Sequence, residues 1–187
     1  MTHHELTIQW FDYVRILASS CADTLEAEEP AVTVEAEYGD RCVEGTELTL
    51  AHHGPRAGNP APCVAEVPAR LGTQFTNAGA TIGVSHVDLD TVGGILRLAE
   101  GDRPLTGSEE FWRVAAFVDV NGVHRLAEAN ASDEIVRQLH AWWAWSETNR
   151  VRVGPECVDV TEHVQQAGVA GGGRPLPEMK KASTRRY

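Results

Sequence analysis

His86, Asp88 and Asp90 occupy alternate positions in the segment ATIGVSHVDLDTVGGILRLAE, residues 80–100. Alternate side chains of an extended segment share one side. One imidazole and two carboxylates can therefore converge on a point and bind a cation. The pattern predicts a β-strand from Ala80 to Ser85, a ligand-bearing loop, and a helix from about Gly93. Open α/β sheets hold their ligands at such strand ends. A mixed nitrogen and oxygen set suits Mn²⁺, Fe²⁺, Co²⁺ or Zn²⁺ better than Ca²⁺, which takes oxygen alone. Read as turn chemistry, the two Asp are helix N-caps; that accounts for one Asp and leaves the in-phase His and the second Asp unexplained.

A second group lies in VDVNGVH, residues 118–124. Asp119 follows an apolar run and precedes the turn signal Asn121-Gly122, with His124 just beyond. Asp119 is the candidate to bridge two ions about 3.5–4 Å apart, and His124 a candidate further ligand or catalytic group beside Asp90. The competing reading is an Asx turn with a surface histidine. His52, His53 and Arg56 sit in the Pro/Gly-rich loop HHGPRAGNPAP and, with Arg125, are candidates to contact substrate. Adjacent histidines on a strand point to opposite sides, so one of the pair is expected to face any given site.

SHVDLDTVGGILRL resembles the first motif of the DHH phosphoesterase superfamily, a strand ending in His-x-Asp-x-Asp followed by small residues that open a helix. The match falls on His86, Asp88, Asp90 and Gly93-Gly94. The family's next motif, an Asp closing a later strand, is matched by Asp119. The signature Asp-His-His triplet is absent, with His124 the substitute, and Gly171-Gly172-Gly173-Arg174 only superficially resembles the family's GGGH loop. The resemblance spans about 45 residues. It implies a divergent or truncated member holding one or two divalent ions, Mn²⁺ first, on His86, Asp88, Asp90 and Asp119.

The remaining chain must position these groups. Trp10, Tyr13, Val14 and Leu17 predict an amphipathic helix over Glu5 to Ser19. Val32 to Tyr38 alternates Val32, Val34, Ala36 and Tyr38 with Thr and Glu between, which predicts a half-exposed strand with Glu35 turned outward. With Thr46 to Ala51 it reads as a β-hairpin, and Phe111 to Val118 reads as a helix end or a buried segment. A helix is predicted over Ala129 to Asn149 with Ser132 as N-cap, and a short one over Val158 to Ala167. The expected fold is a single α/β domain over 1–168 with a central, mostly parallel sheet flanked by helices, plus an N-terminal helix and β-hairpin. A basic flexible tail is expected over 169–187. The cluster Trp142, Trp143, Trp145 is expected in core packing or a homo-oligomer interface.

The 187 residues are 42% hydrophobic and 23% charged, with net charge −11, which excludes duplex nucleic acid as a non-specific partner. No apolar run reaches the roughly 20 residues of a membrane span, and MTHHELTIQW lacks a signal peptide's apolar core. No membrane partner and a cytoplasmic location are expected. Cys21, Cys42, Cys63 and Cys157 are scattered without a CxxC pair, so neither a zinc ribbon nor a disulfide framework is expected, and most should be buried. The leading expectation is a metal-dependent hydrolase acting on a phosphate ester or anhydride, in a small molecule or short nucleotide, through a metal-activated water. The alternatives are hydrolysis of an amide or other carbon-centred bond, and a non-catalytic metal-binding or assembly domain.

Overall fold

The short apolar runs Arg15–Ala18, Val32–Val34, Leu48–Leu50 and Thr81–Val84 all become strands of one sheet. Runs this apolar suit strands covered on both faces. Ile16, Leu17, Ala18, Val32, Thr33, Val34, Ile82 and Val84 are indeed all fully buried. The computed structural model describes residues 14–68, 71, 79–100 and 109–171. Its elements are β1 (Arg15–Ala18), α1 (Ala22–Glu26), β2 (Val32–Val34), β3 (Glu37–Tyr38), β4 (Arg41–Cys42), β5 (Leu48–Leu50), β6 (Thr81–Val84), α2 (Leu89–Glu100), α3 (Glu109–Asn121), α4 (Asp133–Thr148), β7 (Val158–Asp159) and α5 (Thr161–Gly171). Short 3₁₀ turns fall at Gly54–Arg56, Pro62–Val64 and Val123–Ala129.

The five-stranded sheet runs β5-β2-β6-β1-β7. β5, β2, β6 and β1 are mutually parallel, and β7 joins β1 antiparallel. The expected α/β domain with a mostly parallel sheet is the observed one, and β6 is its central strand. Among the described residues no helix is long and apolar enough to cross a membrane.

Several local expectations are overturned. The helix expected over Glu5 to Ser19 lies outside the described residues up to 13, and Arg15–Ala18 is a strand. Three consecutive fully buried residues (Ile16, Leu17, Ala18) need cover on both faces, and pairing with β6 supplies the backbone partners that a helix would have found internally. Val32–Val34 and Leu48–Leu50 are adjacent but parallel, not a hairpin. The chain between them makes its own hairpin, β3–β4, around Gly39 at φ +68°, and so returns in its original direction. Phe111–Val118 lies within α3, and the helix expected over Val158 to Ala167 begins at Thr161 because Val158–Asp159 pairs with β1. α5 continues to Gly171, past the boundary placed at 168; the rest of the tail lies outside the described residues. Of the cysteines only Cys63 is buried, and the other three are half-buried.

Helix α2 packs against the Pro62–Val64 turn and against α5 and α3. Gly93 and Gly94 make that approach possible. A Cβ on Gly93 would overlap the Cys63 Cβ and lie 2.7 Å from the Trp112 ring; one on Gly94 would lie 2.7 Å from the Pro62 Cβ. Alanine would gain about 1 kcal/mol of helix propensity, but overpacking costs about 1–3 kcal/mol. The 2.3 Å approach to the Cys63 Cβ puts the cost at the upper end of that range, so Gly93→Ala is expected to destabilise the chain by about 2 kcal/mol. Urea denaturation checks this, and an unchanged or higher midpoint would show that α2 sits farther from the turn.

Candidate metal centre

Three neighbouring parallel strands end side by side, and each delivers donors at its C-terminal end. β2 is followed at once by Glu35, β5 by Ala51, His52 and His53, and β6 by Ser85, His86 and Asp88. Because β2 lies between β5 and β6, Glu35 falls between the two groups of histidines. Helix α3 brings Asp119 in its last turn and α2 brings Asp90 in its first.

The Glu35 side chain is 1% exposed, and each of its oxygens faces a different side. Oε1 lies 2.9 Å from His52 Nε2 and 3.9 Å from His53 Nε2. Oε2 lies 3.5 Å from His86 Nε2. Asp119 Oδ2 is 3.0 Å from His52 Nε2 and 3.2 Å from His53 Nε2. The donor atoms of Glu35, His52, His53 and Asp119 all lie within 4.8 Å of one another, and this buried cluster could hold a metal ion. Glu35, His86 and Asp88 form a second set of the same closeness.

Hydrogen bonding tests whether a cation fits. Both Glu35 oxygens, His52 Nε2, Asp90 Oδ2 and Asp119 Oδ2 are buried without a hydrogen bond among the described residues. Their ion-pair distances are short, yet no ring N–H aligns with any of the three carboxylates around His52 Nε2. Buried polar groups left so are rare and costly. Four of them, on Glu35, His52 and Asp119, belong to residues of the two donor sets, so the residues fit a cation. The backbone of Glu35 points the same way. It stands at φ +50°, a left-handed conformation that costs a non-glycine residue of order 1–3 kcal/mol and clusters at functional sites. Its N–H donates to Leu50 O (2.8 Å), and its carbonyl accepts from the Ser85 hydroxyl.

That hydroxyl also sets a tautomer. Ser85 has one proton and gives it to Glu35, so at 2.8 Å from His86 Nδ1 it must accept the imidazole N–H. In neutral His86 the lone pair is then on Nε2, the atom facing Glu35 and Asp88 (3.1 Å). Asp88 divides its oxygens likewise: Oδ2 faces His86, while Oδ1 caps α2 by accepting the Thr91 N–H (2.8 Å). The cap reading of this residue is met by Oδ1, which leaves Oδ2 beside His86 as the oxygen that could serve a cation. Asp90 Oδ1 accepts the Cys63 N–H (2.9 Å), and Oδ2 lies 3.4 Å from His52 Nε2.

The sequence placed some of these groups by the wrong route. His86, Asp88 and Asp90 do not share a strand face, because α2 starts at Leu89, not Gly93, and Asp90 is already helical. His52 and His53 both reach Asp119, contrary to the alternation expected of a strand. β5 ends at Leu50, their rings lie 4.0 Å apart, and the pleat no longer governs them. Asp119, expected as the bridge, belongs to one set; the residue common to both is Glu35. His124 is exposed on the Val123–Ala129 turn, and its ring lies where a Gly122 Cβ would be; it is not among the converging donors. Arg125 pairs with Glu128 and Arg56 with Glu44, and neither pairs with the cluster. Glu35 itself was read as an outward residue of an alternating strand. Its signal was the position that marked His86, directly behind an apolar run.

Burial pushes the Glu35 carboxyl up, but His52 and His86 outweigh it and hold it at about 2. Burial pushes His52 down, and the Asp119, Asp90 and Glu35 carboxylates overcome it and lift it to about 12. Asp88 and then Glu35 lift His86 to about 10 against burial. Burial raises Asp90, opposed by His52. The imidazolium protons thus offset the carboxylate charge when no metal does so.

No protein family, curated protein or solved structure matches the chain.

Two raised histidines imply that a metal held here would compete with protons. With folded pKa values of about 12 and 10, His52 and His86 are protonated at neutral pH and must lose those protons to ligate. Apparent Mn²⁺ affinity is expected to rise about tenfold per pH unit for each proton displaced. Calorimetry in buffers of different ionisation heat counts the protons, and an affinity independent of pH would remove the imidazoles from the ligand set.

Proposed function

We propose that this chain is a metal-dependent hydrolase of phosphate esters or anhydrides, with one or two divalent ions held by Glu35, His52, His53, His86, Asp88 and Asp119. The observation that carries the reading is the shared Glu35, one oxygen turned to each donor set. The likeness of His86, Asp88 and Asp90 to the DHH first motif favours phosphorus as the reacting centre and Mn²⁺ as the ion. A divalent ion lowers the pKa of water and offsets charge developing on an attacked phosphoryl group.

The protein's own residues divide the remaining work. Glu35, His52 and Asp90 are buried at the back and hold one another, while the His53, His86 and Asp88 side chains are 51%, 50% and 37% exposed. Substrate therefore approaches from the side of these three. Ser85 orients His86, the α2 N-terminus and its Thr91 N–H orient Asp88, and the Cys63 N–H orients Asp90. A second reading, hydrolysis at an amide or other carbon centre, is favoured by one observation: among the described residues no Lys or Arg lines the cavity beside the cluster.

The test is hydrolysis of a diaryl phosphodiester, of pyrophosphate and of an anilide by the full chain with and without Mn²⁺. Glu35→Gln keeps the shape of the shared ligand and removes its charge. It is expected to lower kcat/KM on the phosphate substrate by about 100-fold or more, the upper end of what even supporting contacts at metal sites contribute. Circular dichroism should be unchanged. Anilide cleavage alone would favour the second reading. A wild type that binds no divalent ion, or Glu35→Gln at full rate, would overturn the hydrolase reading.

A further inference from the structure

A cavity of about 230 Å³ opens directly beside the cluster. Asp88, Asp90 and Asp119 line it together with Leu139, Trp142 and Trp143 of α4. The Trp142 indole is pinned by donation to Ala167 O (3.2 Å), and the half-buried Trp143 stands edge-on to His140 at 5.4 Å. An engineered cavity of about 150 Å³ takes up benzene, so this one has room for a ring somewhat larger.

Charge narrows what enters. The four carboxylates Glu35, Asp88, Asp90 and Asp119 would be balanced by two divalent ions, and among the described residues no Lys or Arg lines the cavity. A substrate with several negative charges would find no further cation there. A monoanionic phosphodiester needs none, and its organic substituent would meet indole and leucine in place of water.

We propose that the cavity receives an uncharged, planar apolar substituent of a monoanionic phosphodiester, and that Trp143 is a specificity-determining residue for it. The assignment rests on the hydrolase reading and names its substrate class as an ester in preference to an anhydride. In the reaction, water oxygen bonds to phosphorus, the P–O bond to the aryl alcohol breaks, and the alcohol leaves with a proton. The cavity then holds the ring of the ester and, after cleavage, of the alcohol.

Binding and turnover are measured separately. Calorimetry of the Mn²⁺-loaded full chain with 1-naphthol reads the cavity without chemistry. The wild type is expected to bind, Trp143→Ala to bind about three- to tenfold more weakly as one aromatic contact is lost, and Ser146→Phe, which fills the cavity from the same helix, to lose binding. With bis(4-nitrophenyl) phosphate, Trp143→Ala is expected to raise KM by about the same factor with kcat within about twofold. Pyrophosphate should be the poorer substrate. Naphthol binding that is absent, or unchanged in both variants, overturns the cavity assignment even if the enzyme is active. Preference for pyrophosphate overturns the substrate class. Naphthol binding as expected with no hydrolysis of any phosphate ester keeps the ring site and sinks the hydrolase reading beneath it.

Discussion

A carboxylate buried to 1% exposure at the end of the second strand governs this structure. Removing such a charge from water costs several kcal/mol even after relaxation, and Glu35 adds the strain of a left-handed backbone. Nothing on its own strand offsets either. The compensation comes from both neighbouring strands: His52 after β5 faces one oxygen, and His86 after β6 faces the other. The strand order β5-β2-β6 is thus also the order histidine, carboxylate, histidine. The arrangement could not survive a change of order, because β2 must have a donor-bearing strand on each side.

The helices complete the site through close packing. Gly93 and Gly94 let α2 approach the Pro62–Val64 turn, which brings the Cys63 N–H onto Asp90 Oδ1. Asp88 and Asp90 lie at the N-terminus of α2, where the helix dipole favours negative charge. Asp119 has the opposite setting, at the C-terminal end of α3, where the dipole disfavours it. It is held there by His52 and His53, so its position depends on the two imidazoles that follow β5 or on a cation they would hold with it.

Burial runs across the cluster as a gradient. Glu35, His52 and Asp90 are enclosed, Asp119 is intermediate, and His53, His86 and Asp88 are open. Enclosed groups strengthen their mutual electrostatics in a low dielectric, and open ones leave room for a reactant. The α4 tryptophans extend the enclosed side outward. Trp142 and Trp145 are buried in packing within the chain, Trp145 stacked on His163, while Trp143 remains half-exposed beside the carboxylates.

The sequence by itself determined the class of fold and part of the donor set. The apolar run of β6 identified a strand covered on both faces, legible as central because residues 82–84 carry no polar side chain to expose. His86, Asp88 and Asp119 were legible because acids and imidazoles behind apolar runs are uncommon without a task. The tertiary structure alone decided how they meet. Strand order is a long-range property, so no local pattern could show that Glu35 would stand between two histidine groups, and period-two reading sent it to solvent. Helix α2 starting at Leu89 replaced strand alternation as the reason Asp90 turns inward. His52 and His53 share a site because β5 ends before them. Arg15–Ala18 chose a strand over its helical pattern because β6 and β7 supplied hydrogen bonds on both sides, and such partners exist only once the chain has folded.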